Sequence, residues 1–298
     1  MNAVSRARSW VAALMERGST HGWPTALWAL ELFFVVRSAS HIMLMAHIAI
    51  EHRAHTLEPL LAAGSLCALF AFVVGWRGTA LVAAAVCSVA MNFQEFPYTA
   101  NHAYLQSYVL CLAAICRLAS VDSDDKPSPF IHYLRVSFAI LLFHTGWQKW
   151  AAGTYDRAEF IAQMFHSDKY RFGELFGQLA PAESPRLAAM NPRVSNEGPF
   201  EYHSWLVLLA SNSAMYSELI LPVLVWLRRW GNVFVLVSLG FVWAFQFAAT
   251  EISFALLATA IALSFFSARM MAPILYLLMA IDVGVAFWIA RNPDTWLN

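Results

Sequence analysis

Charge is scarce in this chain. Charged residues make up 13% of it and hydrophobic residues 59%, whereas a soluble domain carries about 25% charge. That balance excludes an ordinary water-soluble globule. Lysine plus arginine and aspartate plus glutamate number 19 each, for a formal net charge of zero. The positive excess that would follow a phosphate backbone is missing, so nucleic acid is not an expected partner. Cysteine is scarce as well. Cys67, Cys87, Cys111 and Cys116 all fall inside apolar blocks, which predicts buried free thiols. Neither a disulfide framework nor a zinc site follows from them, because the step from Cys111 to Cys116 is not a ligand spacing. The short alternating segments of a membrane barrel are missing. So is a cleavable leader: "MNAVSRARSWVAALMERGST" is basic and amphipathic, with apolar residues too interrupted for a secretory core. Residues 1–22 read instead as an interfacial helix on the cytoplasmic surface.

The chain does have apolar blocks near 20 residues long, about what a helix needs to cross roughly 30 Å of hydrocarbon. The fold class is therefore all-α, a polytopic transmembrane helical bundle of about nine spans filling residues 23–298. The spans are expected near 25–50, 58–75, 79–96, 103–119, 130–150, 204–227, 232–249, 251–268 and 271–290. "PYTAN" precedes the fourth and "DDKPSP" the fifth, both rich in turn residues. A long polar segment, 151–203, separates the fifth and sixth. Its part "APAESPRLAAMNPRVSNEGP" is loop by composition, and 156–179 has room for a surface helix.

Basic residues orient the bundle. With a cytoplasmic amino terminus, Arg6, Arg8, Arg17, Arg77, Arg117, Lys126, Arg228, Arg229 and Arg269 fall inside, and only Arg53 and Arg291 fall in short outer segments. The expected location is a bacterial inner or plasma membrane. Most histidines then gather on the extracytoplasmic side, His21 and His132 excepted, together with Glu51, Glu95, Asn101 and the segment 151–203.

Lys149 ends the fifth span at that outer level, within "LLFHTGWQKWAAG". Lysines at span ends reach for the headgroups, and Trp147 and Trp150 mark the same level. A lysine amine withdrawn from water, however, loses its preference for the charged form, and a neutral amine is a base. Thr145 and Gly146 share its face, and Gly146 leaves room for a neighbouring helix or a flat ligand. His144 and Gln148 form a second pair at i, i+4 beside it. In "TANHAYLQSYVL" Asn101 suits a helix N-cap; His102 and Gln106 share one face, Tyr104 and Tyr108 another.

Taken together, "NHAYL" at 101–105 and "FHTGWQKW" at 143–150 resemble the vitamin K-dependent γ-carboxylase family and, more broadly, the HTTM superfamily of membrane proteins. Asn101, His102, Tyr104 and Leu105 match an Asn-His-x-Tyr-Leu segment; Phe143, Gly146 and Lys149 match a helix reading (Y/F)-x-x-G-x-x-K. The likeness extends through the first span and "SELILPVLVWLRRWG", about residues 25–268. It implies that Lys149 acts as base toward a reduced quinone of vitamin K or menaquinol type, assisted by His102. Oxygen and carbon dioxide would be co-reactants, and Asn101, Tyr104, His144, Trp147 and Gln148 would contact substrate. The carboxylases carry a large luminal region after their spans. This chain ends at Asn298, so the resemblance to short HTTM relatives implies work beside a separate secreted or periplasmic peptide or protein partner.

Other groups stand apart from that motif. His47, Glu51 and His55 follow one another at i, i+4, i+8, a stripe able to hold a divalent metal or simply to cap the first span. Arg37 lies about 12 residues into the first span, and charges so deep are paired; Glu218 and Asp282 are its candidate partners in a structural ion pair. The resulting reading is a membrane enzyme of carboxylase or monooxygenase type. Beside it stand a non-catalytic membrane partner in secreted peptide or toxin maturation, a DoxX-like quinone-binding redox subunit, and a histidine-rich metal-dependent membrane oxidase.

Overall fold

The computed structural model describes residues 23–51, 57–95, 101–119, 129–163, 172–190, 200–227, 230–248 and 252–291. The segment 1–22, His52, His55 and His166 lie outside them, and among the described residues all regular secondary structure is helical. Long helices stand where the apolar blocks lie: α1 Trp23–Glu51, α2 Leu57–Val73, α3 Arg77–Glu95, α4 Asn101–Leu118 and α5 Pro129–Ala152. Three short helices follow, α6 Glu159–Gln163, α7 Phe172–Leu179 and α8 Ser184–Ala189. The chain continues through α9 Trp205–Leu224, α10 Gly231–Ala248, α11 Ile252–Ala262 and α12 Ala268–Arg291.

Three of these are long and apolar enough to cross a membrane: Pro24–His47 within α1, Trp205–Leu224 and Ala268–Arg291. The helix expected over 251–268 is shorter than foreseen. α11 has 11 residues before the chain tightens into a 3-10 turn over Leu263–Phe265, against about 20 residues for a full crossing. Large apolar side chains are left exposed along the helices, among them Phe70, Ile115, Ile220, Leu277, Phe287 and Phe93, the last at 80%. In water each such side chain forgoes about 2 kcal/mol of burial; in hydrocarbon it does not, which fits membrane association.

Contacts divide the chain into two compact units, residues 1–136 with 259–297 and residues 137–258 with 298. In the first unit α1 packs against α12, α2, α3 and α4. Both charges in the body of α1 are paired. Arg77, which opens α3, reaches Glu31 through Nη2 at 2.5 Å and Nε at 2.9 Å. Arg37 donates from Nη1 to Oδ1 of Asp282 on α12, both side chains under 8% exposed. Ser40 donates to the other Asp282 oxygen at 2.8 Å. α3 and α4 meet through Asn92, which donates to Ser107 at 2.8 Å, and through the Ser88–Ser107 hydroxyl pair at 2.7 Å. Small and hydroxylated residues are the usual means by which apolar helices pair without a hydrophobic driving force. The cysteines are free, as expected, but Cys67 is exposed on α2 while Cys87 and Cys116 are buried; the periodicity of an all-apolar helix does not say which side faces the bundle.

The second unit holds the polar segment between α5 and α9. It folds around its own small core of Ala158, Ile161, Ala162, Phe176, Ala180, Leu187, Tyr202 and Val207. The stretch 180–199, read as loop, contains α8. Its Pro185 sits at the start of the helix, where the missing N–H costs nothing, so a stretch that is loop by composition opens a helix on its proline. Glu183, just before α8, accepts the backbone N–H groups of His203 at 2.7 Å and Ser204 at 2.6 Å. A carboxylate there satisfies orphan donors at the start of α9 and complements its dipole. The Ser204 side chain itself makes no capping bond.

Candidate functional site

Within the second unit, Lys149 projects from the last turn of α5 and meets Glu218 on α9. Its Nζ donates to Glu218 Oε1 at 2.6 Å, and the two side chains are only 15% and 13% exposed. Gly146, one turn before Lys149, makes the meeting possible. A Cβ built at Gly146 would stand 2.8 Å from the Glu218 carbonyl carbon and from the Leu219 nitrogen, closer than real carbons approach. Only a residue without a side chain lets the two backbones come this near. Pro222, inside α9, follows Glu218 by four residues, so the Glu218 carbonyl lacks its regular helical donor and the helix is loosened where the pair sits.

Two aromatic rings wall the ammonium. Nζ lies 4.3 Å from the Phe245 ring centre and 5.2 Å from that of Tyr155, within the range at which a ring face attracts a cation. Phe245 comes from α10 and Tyr155 from the turn after α5. That turn begins at Gly153, whose φ of 66° favours glycine, and is pinned where Ser211 of α9 donates to the Tyr155 carbonyl at 2.6 Å. Burial, then the nearby Glu218 charge, pushes the Tyr155 phenol well above its usual range; it is a neutral wall, not a competing base. Glu218 Oε2 is buried and accepts no hydrogen bond among the described residues. The site therefore combines a sheltered cation, a carboxylate oxygen with open lone pairs, and flat apolar walls.

The residues named from the sequence fare differently. Lys149 is in the site, and its partner is Glu218. Glu218 was a candidate partner for Arg37, but Arg37 takes Asp282. The side chains of Asn101 and His102 lie outside the described residues. Tyr104, His144, Trp147 and Gln148 are exposed, and Trp147 packs its ring on Trp150 at 4.9 Å. His47 Nε2 is 3.3 Å from the Ala290 carbonyl oxygen; the Glu51 side chain and His55 are outside the described residues. Among the described residues no group of three or more His, Cys, Asp or Glu could hold a metal ion. Tyr155, Ser211 and Phe245 were not singled out from the sequence. Tyr155 follows Lys149 closely enough to have been a candidate, whereas nothing local marks Phe245. No known protein family, characterised protein or solved structure matches the chain.

Proposed function

We propose that the chain is an integral-membrane enzyme of the kind represented by the HTTM proteins and vitamin K-dependent γ-carboxylases, with about nine spans, a cytoplasmic amino terminus and an extracytoplasmic working site. Lys149, backed by Glu218, takes the proton of an acidic O–H, and the substrate acted on is a secreted or periplasmic peptide or a small molecule. A reduced quinone of vitamin K or menaquinol type would be the reductant and oxygen the oxidant, with carbon dioxide as the group added in a carboxylation and one oxygen atom in an oxygenation. The observation that carries this reading is the Lys149–Glu218 pair at 2.6 Å, nearly out of water and set against Tyr155 and Phe245. What supports such a group is an amine to meet its hydroxyl, a carboxylate oxygen beside that amine, and two aromatic rings close by. A base must be able to meet its proton at hydrogen-bond distance and be tuned by its surroundings. The assisting role of His102 and the substrate contacts of Asn101 and Tyr104 come from the resemblance.

The test is mass spectrometry of secreted peptides from cells carrying the wild-type chain, the Lys149→Ala variant or neither. A peptide that gains the mass of one carbon dioxide or one oxygen with the wild type, and loses that gain with Lys149→Ala while its complex with the chain persists, supports the enzyme. The same product from both would reduce the chain to a non-catalytic partner in peptide maturation.

A further inference from the structure

Resting on that reading, we infer that Glu218 is the final acceptor of the substrate's proton and that Lys149 relays it. An ammonium has three donors and no lone pair, so Lys149 in its observed pairing cannot itself accept. The acceptor capacity in the site belongs to Glu218, whose Oε1 already faces Nζ at 2.6 Å and whose Oε2 is buried with no donor among the described residues. The transfer then runs in two linked movements. Lys149 passes a proton from Nζ to Oε1, leaving a neutral amine and a carboxylic acid. The freed lone pair on Nζ takes the proton of a phenolic O–H lying against Tyr155 and Phe245, and the O–H electron pair stays on the oxygen. The pair gains one positive charge and the substrate oxygen one negative charge, so the assembly stays neutral and an ammonium stands beside the new oxyanion. In a poorly hydrated site this arrangement needs neither an isolated charge nor a proton drawn from bulk water.

Proton counting separates Glu218 as an acceptor from Glu218 as a mere counter-ion. The full chain in lipid nanodiscs is titrated with 4-nitrophenol, in buffer acidic enough that the free phenol stays protonated. Absorbance reports phenolate, and calorimetry in buffers of different ionisation enthalpy reports protons exchanged with solvent. The wild type is expected to show the phenolate spectrum with close to zero net proton release, because the proton stays on Glu218. The Glu218→Gln variant is expected to form phenolate with about one proton released per ligand. Phenolate with about one proton released by the wild type, or a proton retained by Glu218→Gln, overturns the relay while leaving a phenol-deprotonating site in place. A protonated phenol throughout the wild-type titration removes the site's function as well as the relay.

Discussion

Gly146 and Glu218 touch backbone to backbone, and that contact sets the Lys149–Glu218 ion pair one turn further along α5. With 2.8 Å between a Gly146 Cβ and the Glu218 carbonyl carbon, a side chain has nowhere to go, because its obstacle is main chain. Gly146→Ala is expected to push α5 from α9 and cost about 1–3 kcal/mol of stability. Thermal unfolding in detergent of wild type and variant checks this; an unchanged midpoint would mean the helices do not meet there.

The ion pair itself makes a sharper case. Lys149→Met leaves a poorly hydrated carboxylate and Glu218→Gln a poorly hydrated ammonium, so each single change should cost about 2–4 kcal/mol. The double variant removes both charges and should lose clearly less than the sum of the singles. A double-mutant cycle reads the difference as a coupling energy of about 1–3 kcal/mol. Additive losses would show that the two side chains do not meet.

Arg37 and Asp282 should behave the same way in the first unit, and more strongly because both are nearly inaccessible. Asp282→Asn leaves the guanidinium without its countercharge and is expected to cost about 3–5 kcal/mol. Replacing both residues together, Arg37→Met with Asp282→Leu, is expected to restore most of that loss. Denaturant titration of the three proteins decides it, and equal damage by the single and double variants would argue against a direct pair.

Tyr202 offers a test outside the long apolar helices. Its ring is buried in the small core of the second unit and its hydroxyl has no hydrogen-bond partner among the described residues. Burial, then the Glu183 charge, pushes the phenol up to about 12, from a usual value near 10. An unfolded chain therefore loses this proton first. The associated stability is intact below about pH 10 and falls as pH rises toward about 12. Tyr202→Phe should be neutral or stabilising by about 1 kcal/mol near neutral pH and should weaken the alkaline loss. Unfolding midpoints at rising pH compare the two; parallel curves would contradict the assignment.

Much of this organisation was legible in the sequence, because apolar block length and turn residues mark helices directly. The blocks locate α1 to α5, α9, α10 and α12, and the placement of Gly146 one turn before Lys149 marked that face of α5 as a close-packing face. Pairing was less legible. Arg37, Glu218 and Asp282 could be ranked by position along their helices, but which acid meets which base depends on helix rotation and neighbour identity, and uniformly apolar helices encode neither. Only the packed structure separates Glu218 from Asp282. The same limit hid Phe245, whose importance comes from α10 lying against Lys149. α8 was missed for a local reason: proline reads as a breaker unless its place in the first turn is known.

Oxygen uptake shows whether Lys149 works as a base toward a quinol. Wild-type chain and the Lys149→Met variant, each in lipid with a reduced menaquinone and any co-purifying partner, are compared in an oxygen-electrode cell. Quinol-dependent uptake by the wild type, abolished in a Lys149→Met protein that still folds, is the expected result. Equal uptake by both proteins, or none above lipid alone from either, would contradict a working site centred on Lys149.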